Sequence, residues 1–259
     1  MVPGRSIEIL ADKESLTRAA AAEVTARAAS AVALRDVFTL VLSGGSTPRD
    51  LFALLADPNE SFRARLPWGK IHFFWGDERH VPPDHPDSNY RMAKESLLDP
   101  MRIAAANVHR IQGENPDAAA AAAAYETELR TFFHLDAGAA AVAEGPPRFD
   151  LVLLGLGPEG HTASLFPGSL ALAERERWVV APWVEKFNTF RITLTPPVLN
   201  RAAAVLFLAA GEEKADALHA VLEEVGDADL YPARIVRPEE GDLLWLLDRA
   251  AAKSLSASV

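Results

Sequence analysis

Phe149-Asp150-Leu151-Val152-Leu153-Leu154-Gly155-Leu156-Gly157-Pro158-Glu159-Gly160-His161-Thr162-Ala163-Ser164-Leu165-Phe166-Pro167 decides how the chain folds. The apolar residues through Leu154 have no alternating polar face, the pattern of a parallel strand covered on both sides. The run then stops at glycines and delivers His161 close to the carboxylate of Glu159. In open α/β sheets, ligands bind just beyond the carboxyl ends of such strands. The stretch therefore predicts an α/β protein with its chemistry in this loop. His161 is the leading candidate for a general base, the alternative being a histidine that only caps the loop.

Gly155-x-Gly157-x-x-Gly160 also matches the dinucleotide fingerprint letter for letter. That fingerprint should open a long helix and be followed about 20 residues later by an acid at the end of the next strand. Phe166-Pro167-Gly168 interrupts any helix within two turns, and Glu174 and Glu176 lie in a charged run before an apolar strand. The match is read as accidental, and no nicotinamide cofactor is expected.

Outward from this stretch, short apolar runs alternate with amphipathic or Ala-rich ones, which predicts a mainly parallel, doubly wound, Rossmann-like sheet with helices on both faces. A helix is expected over Asp12 to Leu34, a strand at Val37 to Leu42, a Gly-rich turn, and a helix from Pro48. A second strand, Ile71 to Trp75, leads into a long polar loop from Gly76 to Asn89, where Ser88 is placed to cap a helix beginning near Tyr90. Val108 to Ile111 reads as a short strand and Ala118 to Leu129 as a helix, since alanine is the best helix former. Leu135 to Pro147 reads as a surface connection. Strands follow at Trp178 to Val180, Phe190 to Leu194, Val205 to Leu208 and Leu243 to Leu247, with a helix from Glu212 to Glu224. One domain spanning residues 1–259 is expected.

Composition narrows the chemistry. The 259 residues are 49% hydrophobic, ample for a core, and contain no cysteine, which excludes disulfides, thiolate metal sites and a cysteine nucleophile. No apolar run is long enough to span a bilayer, and Met1 to Ser6 leads into Ile7-Glu8-Ile9-Leu10 without a signal-peptide core, so a cytoplasmic location is expected. Against 36 Asp plus Glu stand 26 Lys plus Arg, a formal net charge of −10 that disfavours nucleic acid as a partner. An anionic ligand must then be held by a few placed cations.

Three segments offer such anchors. Ser43-Gly44-Gly45-Ser46-Thr47-Pro48-Arg49 joins a strand to a helix, so its N–H groups and hydroxyls can converge on a phosphate at the helix N-terminus. It lacks the Gly-Lys-Ser/Thr ending of the nucleotide P-loop, and a turn whose glycines only permit unusual dihedrals is the alternative. Arg191 starts an apolar strand, and Lys214 stands early in a helix, where a cation works against the helix dipole unless an anion is held there. Asp77, His80, His85 and Asp87 match no strong metal spacing, and the prolines 82, 83 and 86 imply an extended loop, so no metal is expected. No Gly-x-Ser-x-Gly elbow is present for a serine hydrolase.

Five motifs in one order, Ser43 to Pro48, Trp75 to Pro83, Asp87-Ser88-Asn89-Tyr90-Arg91, Gly155 to Pro167 and Arg191 to Thr195, closely resemble the 6-phosphogluconolactonase family. The resemblance runs from about the first strand to Lys214, and the wider superfamily includes glucosamine-6-phosphate deaminase. It implies hydrolysis of 6-phospho-D-glucono-1,5-lactone to 6-phosphogluconate, without metal, redox cofactor or covalent intermediate, by a monomer whose only partner is this phosphosugar lactone. By this resemblance Gly44, Gly45, Ser46, Thr47, Arg191 and Lys214 hold the 6-phosphate, and Asp77 and Asn89 shape the sugar site. His161 activates water and Arg79 steadies the oxyanion. The family pattern has Asp where this chain has Glu159, an acid placed to orient His161, with Gly157 and Gly160 expected to give the loop freedom for the extra methylene. His161, Glu159, Arg79 and Asp77 together form the expected catalytic group.

Two other functions share the phosphate cradle. An amino-sugar phosphate deaminase-isomerase tends to carry Ile-Ala-Phe-Asn-Glu after its histidine, whereas Thr162-Ala163-Ser164-Leu165-Phe166-Pro167 omits the acid here. A sugar-phosphate sensor needs an output module, and no basic helix-turn-helix-like segment precedes Val37.

Overall fold

The computed structural model of the chain describes residues 5–133, 145–224 and 226–256. Arg5–Leu10 forms β1, whose positions are only half-buried or exposed, as befits an edge strand. Helix α1, Lys13–Arg35, opens where the Asp12 side chain accepts from the Ser15 N–H at 2.8 Å and closes at Asp36, which holds a left-handed φ of 60°. Strand β2, Phe38–Leu42, is buried at every position, and α2, Ser46–Ala56, starts just before the expected Pro48. The short helix α3, Ser61–Arg65, precedes β3, Ile71–Trp75.

Sequence and structure diverge next. The stretch read as a loop from Gly76 begins with β4, Asp77–Arg79. Its three charged residues have no apolar alternation, and pairing with a distant strand makes them a strand. Helix α4, Asn89–Ala93, is capped as expected by Ser88, whose hydroxyl accepts from the Arg91 N–H at 3.1 Å. Strand β5 is Val108–His109, and α5 is Ala118–Phe132, capped by Asp117 on the N–H groups of Ala119 and Ala120. Most of the expected connection from Leu135 to Pro147 lies outside the described residues.

Strand β6, Leu151–Gly155, is followed by β7, Val179–Val180, β8, Trp183–Val184, and β9, Thr189–Leu194. Helix α6, Pro196–Arg201, leads to β10, Ala204–Ala209, buried throughout. Helix α7, Ala215–Leu222, is shorter than expected because residues 212–214 form a 3₁₀ turn, which carries Lys214. Strand β11, Asp242–Asp248, completes the order.

Seven strands form an all-parallel sheet in the order β1-β11-β10-β6-β2-β3-β5, a doubly wound, Rossmann-like arrangement. Helix α1 packs on β1, β2, β10 and β11 and against α2. Each Leu, Val or Phe buried in β2, β6 and β10 stabilises the fold by about 1.5–3 kcal/mol. The polar residue at the head of β6 sets its register: the Asp150 carboxylate accepts from the N–H and hydroxyl of Thr39 at 2.8 and 2.9 Å, and the Thr39 hydroxyl accepts the Asp150 N–H at 2.9 Å.

The strands expected at residues 178–180 and 190–194 belong instead to a second sheet, antiparallel, in the order β4-β9-β7 with β8 also paired to β9. Only Gly76 separates β3 from β4, so the small sheet grows directly from the carboxyl edge of the large one. Chain order runs from β2 outward through β3 to β5 on one side and from β6 outward through β10 and β11 on the other. The direction of winding therefore reverses between β2 and β6, and a crevice opens beyond their carboxyl ends.

Candidate active site

That crevice holds a cavity of about 230 Å³, lined by Ser43, Gly44 and Gly45 after β2, Asp77 and Arg79 of β4, Asn89, residues 155–158 and 161–163 after β6, and Lys214 after β10. Four neighbouring strands thus deliver their following loops to one place. No long helix follows the glycines, as the break at Phe166-Pro167-Gly168 predicts: Thr162 pairs back on Leu165 in a tight bridge, and the next helical turn is 3₁₀, Leu170–Ala173. Gly155, Gly157 and Gly160 therefore do not open the helix that the dinucleotide fingerprint requires.

The histidine loop is folded on itself. The Gly157 N–H donates to the His161 carbonyl at 2.8 Å, and the Gly160 N–H to the Gly157 carbonyl at 3.0 Å. A Cβ on Gly157 would lie 2.0 Å from the His161 ring, so glycine is needed here for close approach. The expected freedom to adjust around Glu159 is therefore missing at Gly157, because the imidazole packs directly on its backbone.

His161 Nδ1 is buried 3.1 Å from Glu159 Oε2. The two form a short charge–charge contact that favours the protonated imidazole. The other carboxylate oxygen accepts from Lys186 Nζ at 2.7 Å. The imidazole stacks on Phe166 with ring centroids 4.3 Å apart. Burial pushes its pKa below the ordinary 6.5, against the opposing charges of Glu159 and Asp77, and Lys186 adds to the downward push. The ring is then neutral near pH 7, as a base must be. For Glu159 burial pushes upward, but the Lys186 hydrogen bond, its own backbone N–H and the neighbouring His161 hold it below the ordinary carboxylate value.

Across the cavity, Asp77 is 8% exposed and tied down from two sides. Its Oδ2 accepts from the Ser164 hydroxyl at 2.6 Å, and its carbonyl accepts from Asn89 Nδ2 at 2.9 Å. Asn89 approaches so closely that a Cβ on Gly44 would sit 2.0 Å from its Oδ1, which requires glycine at that position. Ala163 lies between the anchored Thr162 and Ser164 and holds a left-handed φ of 47° at the cavity wall, a strain of about 1–2 kcal/mol for a residue with a Cβ. The Thr162 hydroxyl bonded to the Gly155 carbonyl and the Ser164 N–H bonded to the Thr193 hydroxyl hold it there.

The buried Glu78, 2% exposed, organises the segment between Arg79 and Asn89. It accepts from the N–H groups of Arg79, Asn89 and Tyr90 at 2.8, 2.7 and 2.7 Å and from the Ser88 hydroxyl at 3.1 Å. Burial pushes its pKa up, with these backbone bonds opposing and Asp77 adding to the rise. Arg79 donates to the Asp87 carbonyl, which fixes its guanidinium at the cavity rim.

The chain that carries this cradle of glycines, half-buried histidine and lysine is similar to known proteins. The model of the glucosamine-6-phosphate isomerases/6-phosphogluconolactonase family matches residues 11–245. The chain belongs to this family. It is 44% identical over 249 residues to a 6-phosphogluconolactonase of Synechocystis sp., across 96% of this chain and 98% of the relative. It is 41% identical over 252 residues to a 6-phosphogluconolactonase of Nostoc sp., across 97% and 99%. Among solved structures, 6-phosphogluconolactonase from Trypanosoma cruzi aligns with a TM-score of 0.83 at 31% identity, across 99% of each chain.

Of the residues that the resemblance singled out, this family member brings His161, Asp77, Arg79, Asn89, Gly44, Gly45 and Lys214 to one cavity. Ser46 and Thr47 lie in the first turn of α2, outside the lining, and Glu159 stands behind His161. Arg191 also lies outside the lining, opposite Arg79 in the β4–β9 register, with its guanidinium 5.0 Å from the centre of the Phe187 ring. Burial and the charge of Arg79 lower its pKa, opposed by Asp77, Asp87 and Glu78. Of the discarded metal ligands, His80 meets the Asn115 carbonyl at 2.6 Å, and His85 accepts the Asp87 N–H at 3.2 Å. Sequence reasoning missed Glu78, Ser164 and Phe166. The unbroken run Asp77-Glu78-Arg79 at the end of a strand was the available signal for the first, since three adjacent charges there need partners.

Proposed function

We propose that the chain hydrolyses 6-phospho-D-glucono-1,5-lactone to 6-phosphogluconate in the oxidative pentose phosphate pathway, with His161 as the base. The observation that carries the mechanism is the imidazole itself, its Nδ1 buried beside Glu159 and its ring lining a polar cavity. The remaining nitrogen, Nε2, takes a proton from a water as that water adds to the lactone carbonyl. The imidazolium so formed is stabilised by the charges of Glu159 and Asp77. Arg79 donates to the oxyanion of the tetrahedral intermediate. The intermediate collapses by breaking the ring C–O bond, and the departing ring oxygen takes the proton back from His161. General-base help contributes about 10²–10⁴-fold, and a placed oxyanion donor about 10²–10³-fold.

Recognition of the 6-phosphate falls to Lys214 and the N–H groups at Gly44 and Gly45, where α2 directs its positive end at the cavity. Ser46 and Thr47 add hydroxyls at that helix start, and Arg191 supports the anion from the neighbouring strand. Asp77 and Asn89, fixed to each other, orient the sugar hydroxyls. A single domain, a monomeric state and a cytoplasmic location complete the proposal.

The test is lactone disappearance corrected for spontaneous hydrolysis, with and without the 6-phosphate, beside an assay for ammonia from glucosamine 6-phosphate. Rapid opening of the phosphorylated lactone and no ammonia are expected. Ammonia release, or phosphosugar binding without turnover, would overturn the reading in favour of a deaminase or a sensor. Light scattering of the eluted protein checks the monomer.

A further inference from the structure

The turn joining β8 to β9, Glu185–Phe187, reaches His161 from outside the cavity lining. Two adjacent side chains of this turn touch two different neighbours of the imidazole. Lys186 Nζ donates to Glu159 Oε1 at 2.7 Å, while Glu159 Oε2 lies 3.1 Å from His161 Nδ1. Phe187 meets Phe166 edge-on with centroids 5.8 Å apart, and Phe166 stacks on the His161 ring. One turn of the antiparallel sheet thereby holds both the acid beside the imidazole and the ring beneath it.

We propose that Lys186 is a positioning residue for the hydrolysis, acting through Glu159, and that the β8–β9 turn clamps the imidazole; this rests on His161 being the base. The Glu159–His161 contact engages Oε2 alone, so it does not by itself fix the carboxylate. The ammonium supplies the directed bond that does. With 57% of its side chain exposed, Lys186 contributes little to stability through this pair, and its effect lies in orientation and local charge.

The charged groups facing His161 are Glu159 from its own loop, Asp77 from β4 and Lys186 from the turn, with Arg79 and Lys214 lining the same cavity. Removing the ammonium leaves both carboxylates less opposed. The imidazolium is then favoured, and the His161 titration moves upward.

The experiment compares Lys186→Met, Lys186→Arg and Phe187→Ala in the full chain, reading kcat and KM across pH together with an NMR titration of His161. In Lys186→Met the His161 midpoint and the acid limb of kcat/KM are expected to rise together by about half a unit to one unit. At neutral pH kcat falls about three- to tenfold with KM unchanged, and Lys186→Arg restores both. Phe187→Ala lowers kcat without moving the titration. Unchanged kcat and titration in Lys186→Met overturn the clamp. So does a rise confined to KM for the phosphorylated lactone, which makes Lys186 a substrate contact. An active His161→Ala variant overturns the base assignment instead, and the NMR titration still reads the Lys186–Glu159–His161 link without reference to activity.

Discussion

The seven-stranded sheet fills its interior with hydrocarbon, whereas the small antiparallel sheet beside it buries charge. Strands β2 and β10 are buried at every position, and their polar exception, Thr39, is bonded to Asp150. Strand β4 instead buries Asp77 and Glu78 and sets Arg79 opposite Arg191, a like-charge cross-strand pair that costs a few tenths to about 1 kcal/mol. The difference teaches a division of labour. Hydrocarbon fills the platform, and the charged sheet, held by directed hydrogen bonds, brings Asp77 and Arg79 to the cavity where the proposed mechanism uses them.

The largest expected break in this comparison is on the platform's own loop. His161→Ala should lower kcat by about 10²–10⁴-fold with the fold intact, measured by steady-state kinetics beside circular dichroism. In the unsubstituted chain burial keeps the imidazole neutral to below pH 6.5, so activity should decline on the acid side only below that value, as protonation removes the base. An acid limb above 6.5 would contradict the burial argument.

Phosphate recognition separates the sheets more finely. Lys214 lines the cavity and Arg191 does not, so Lys214→Ala should weaken the phosphorylated lactone by about 1.5–3 kcal/mol and Arg191→Ala by less. The unphosphorylated lactone serves as control, and equal losses for both lactones would remove these residues from phosphate reading.

The charged sheet is tested by Glu78→Ala. Its loss strands the buried Asn89 N–H and Ser88 hydroxyl and the part-buried N–H groups of Arg79 and Tyr90, and thermal or urea unfolding should show a destabilisation of about 1–3 kcal/mol. Activity should fall with it, because Asn89 loses the bond that seats its backbone. A neutral outcome would mean that the segment between Arg79 and Asn89 is held by other contacts.

The smallest effect is expected at Glu159. Shortening it to Asp should leave kcat within about tenfold, or roughly 1.4 kcal/mol, and Glu159→Gln should cost more because it removes the negative charge beside His161. A fully active Gln variant beside an inactive Asp variant would make Glu159 a packing residue. Since Gly157 is packed against the imidazole, the loop cannot follow a shorter side chain inward, and the tolerance must come from Lys186 reaching further.

The apolar strands β2, β3, β6, β10 and β11 were legible because burial on both faces leaves an unbroken hydrophobic run, a property of the residues themselves. The antiparallel sheet was not. Asp77-Glu78-Arg79 carries no strand pattern and becomes a strand only because β9, more than a hundred residues later, pairs with it. Strands at residues 190–194 and near 178–180 were foreseen, but their membership in a second sheet depends on that same distant pairing. Glycines 44, 45 and 157, His161 and Lys214 announced a site by type and place. By itself the sequence determined the parallel core, the loops at its carboxyl edge and the histidine in the loop after β6, since local hydrophobicity and turn chemistry act over a few residues. Only the tertiary structure decided which charges meet: that Ser164 and Asn89 hold Asp77, that Arg191 stands off the cavity, and that Lys186 holds Glu159. Such contacts depend on distances between elements far apart in the chain, and Coulomb and hydrogen-bond energies are set by those distances rather than by sequence neighbours.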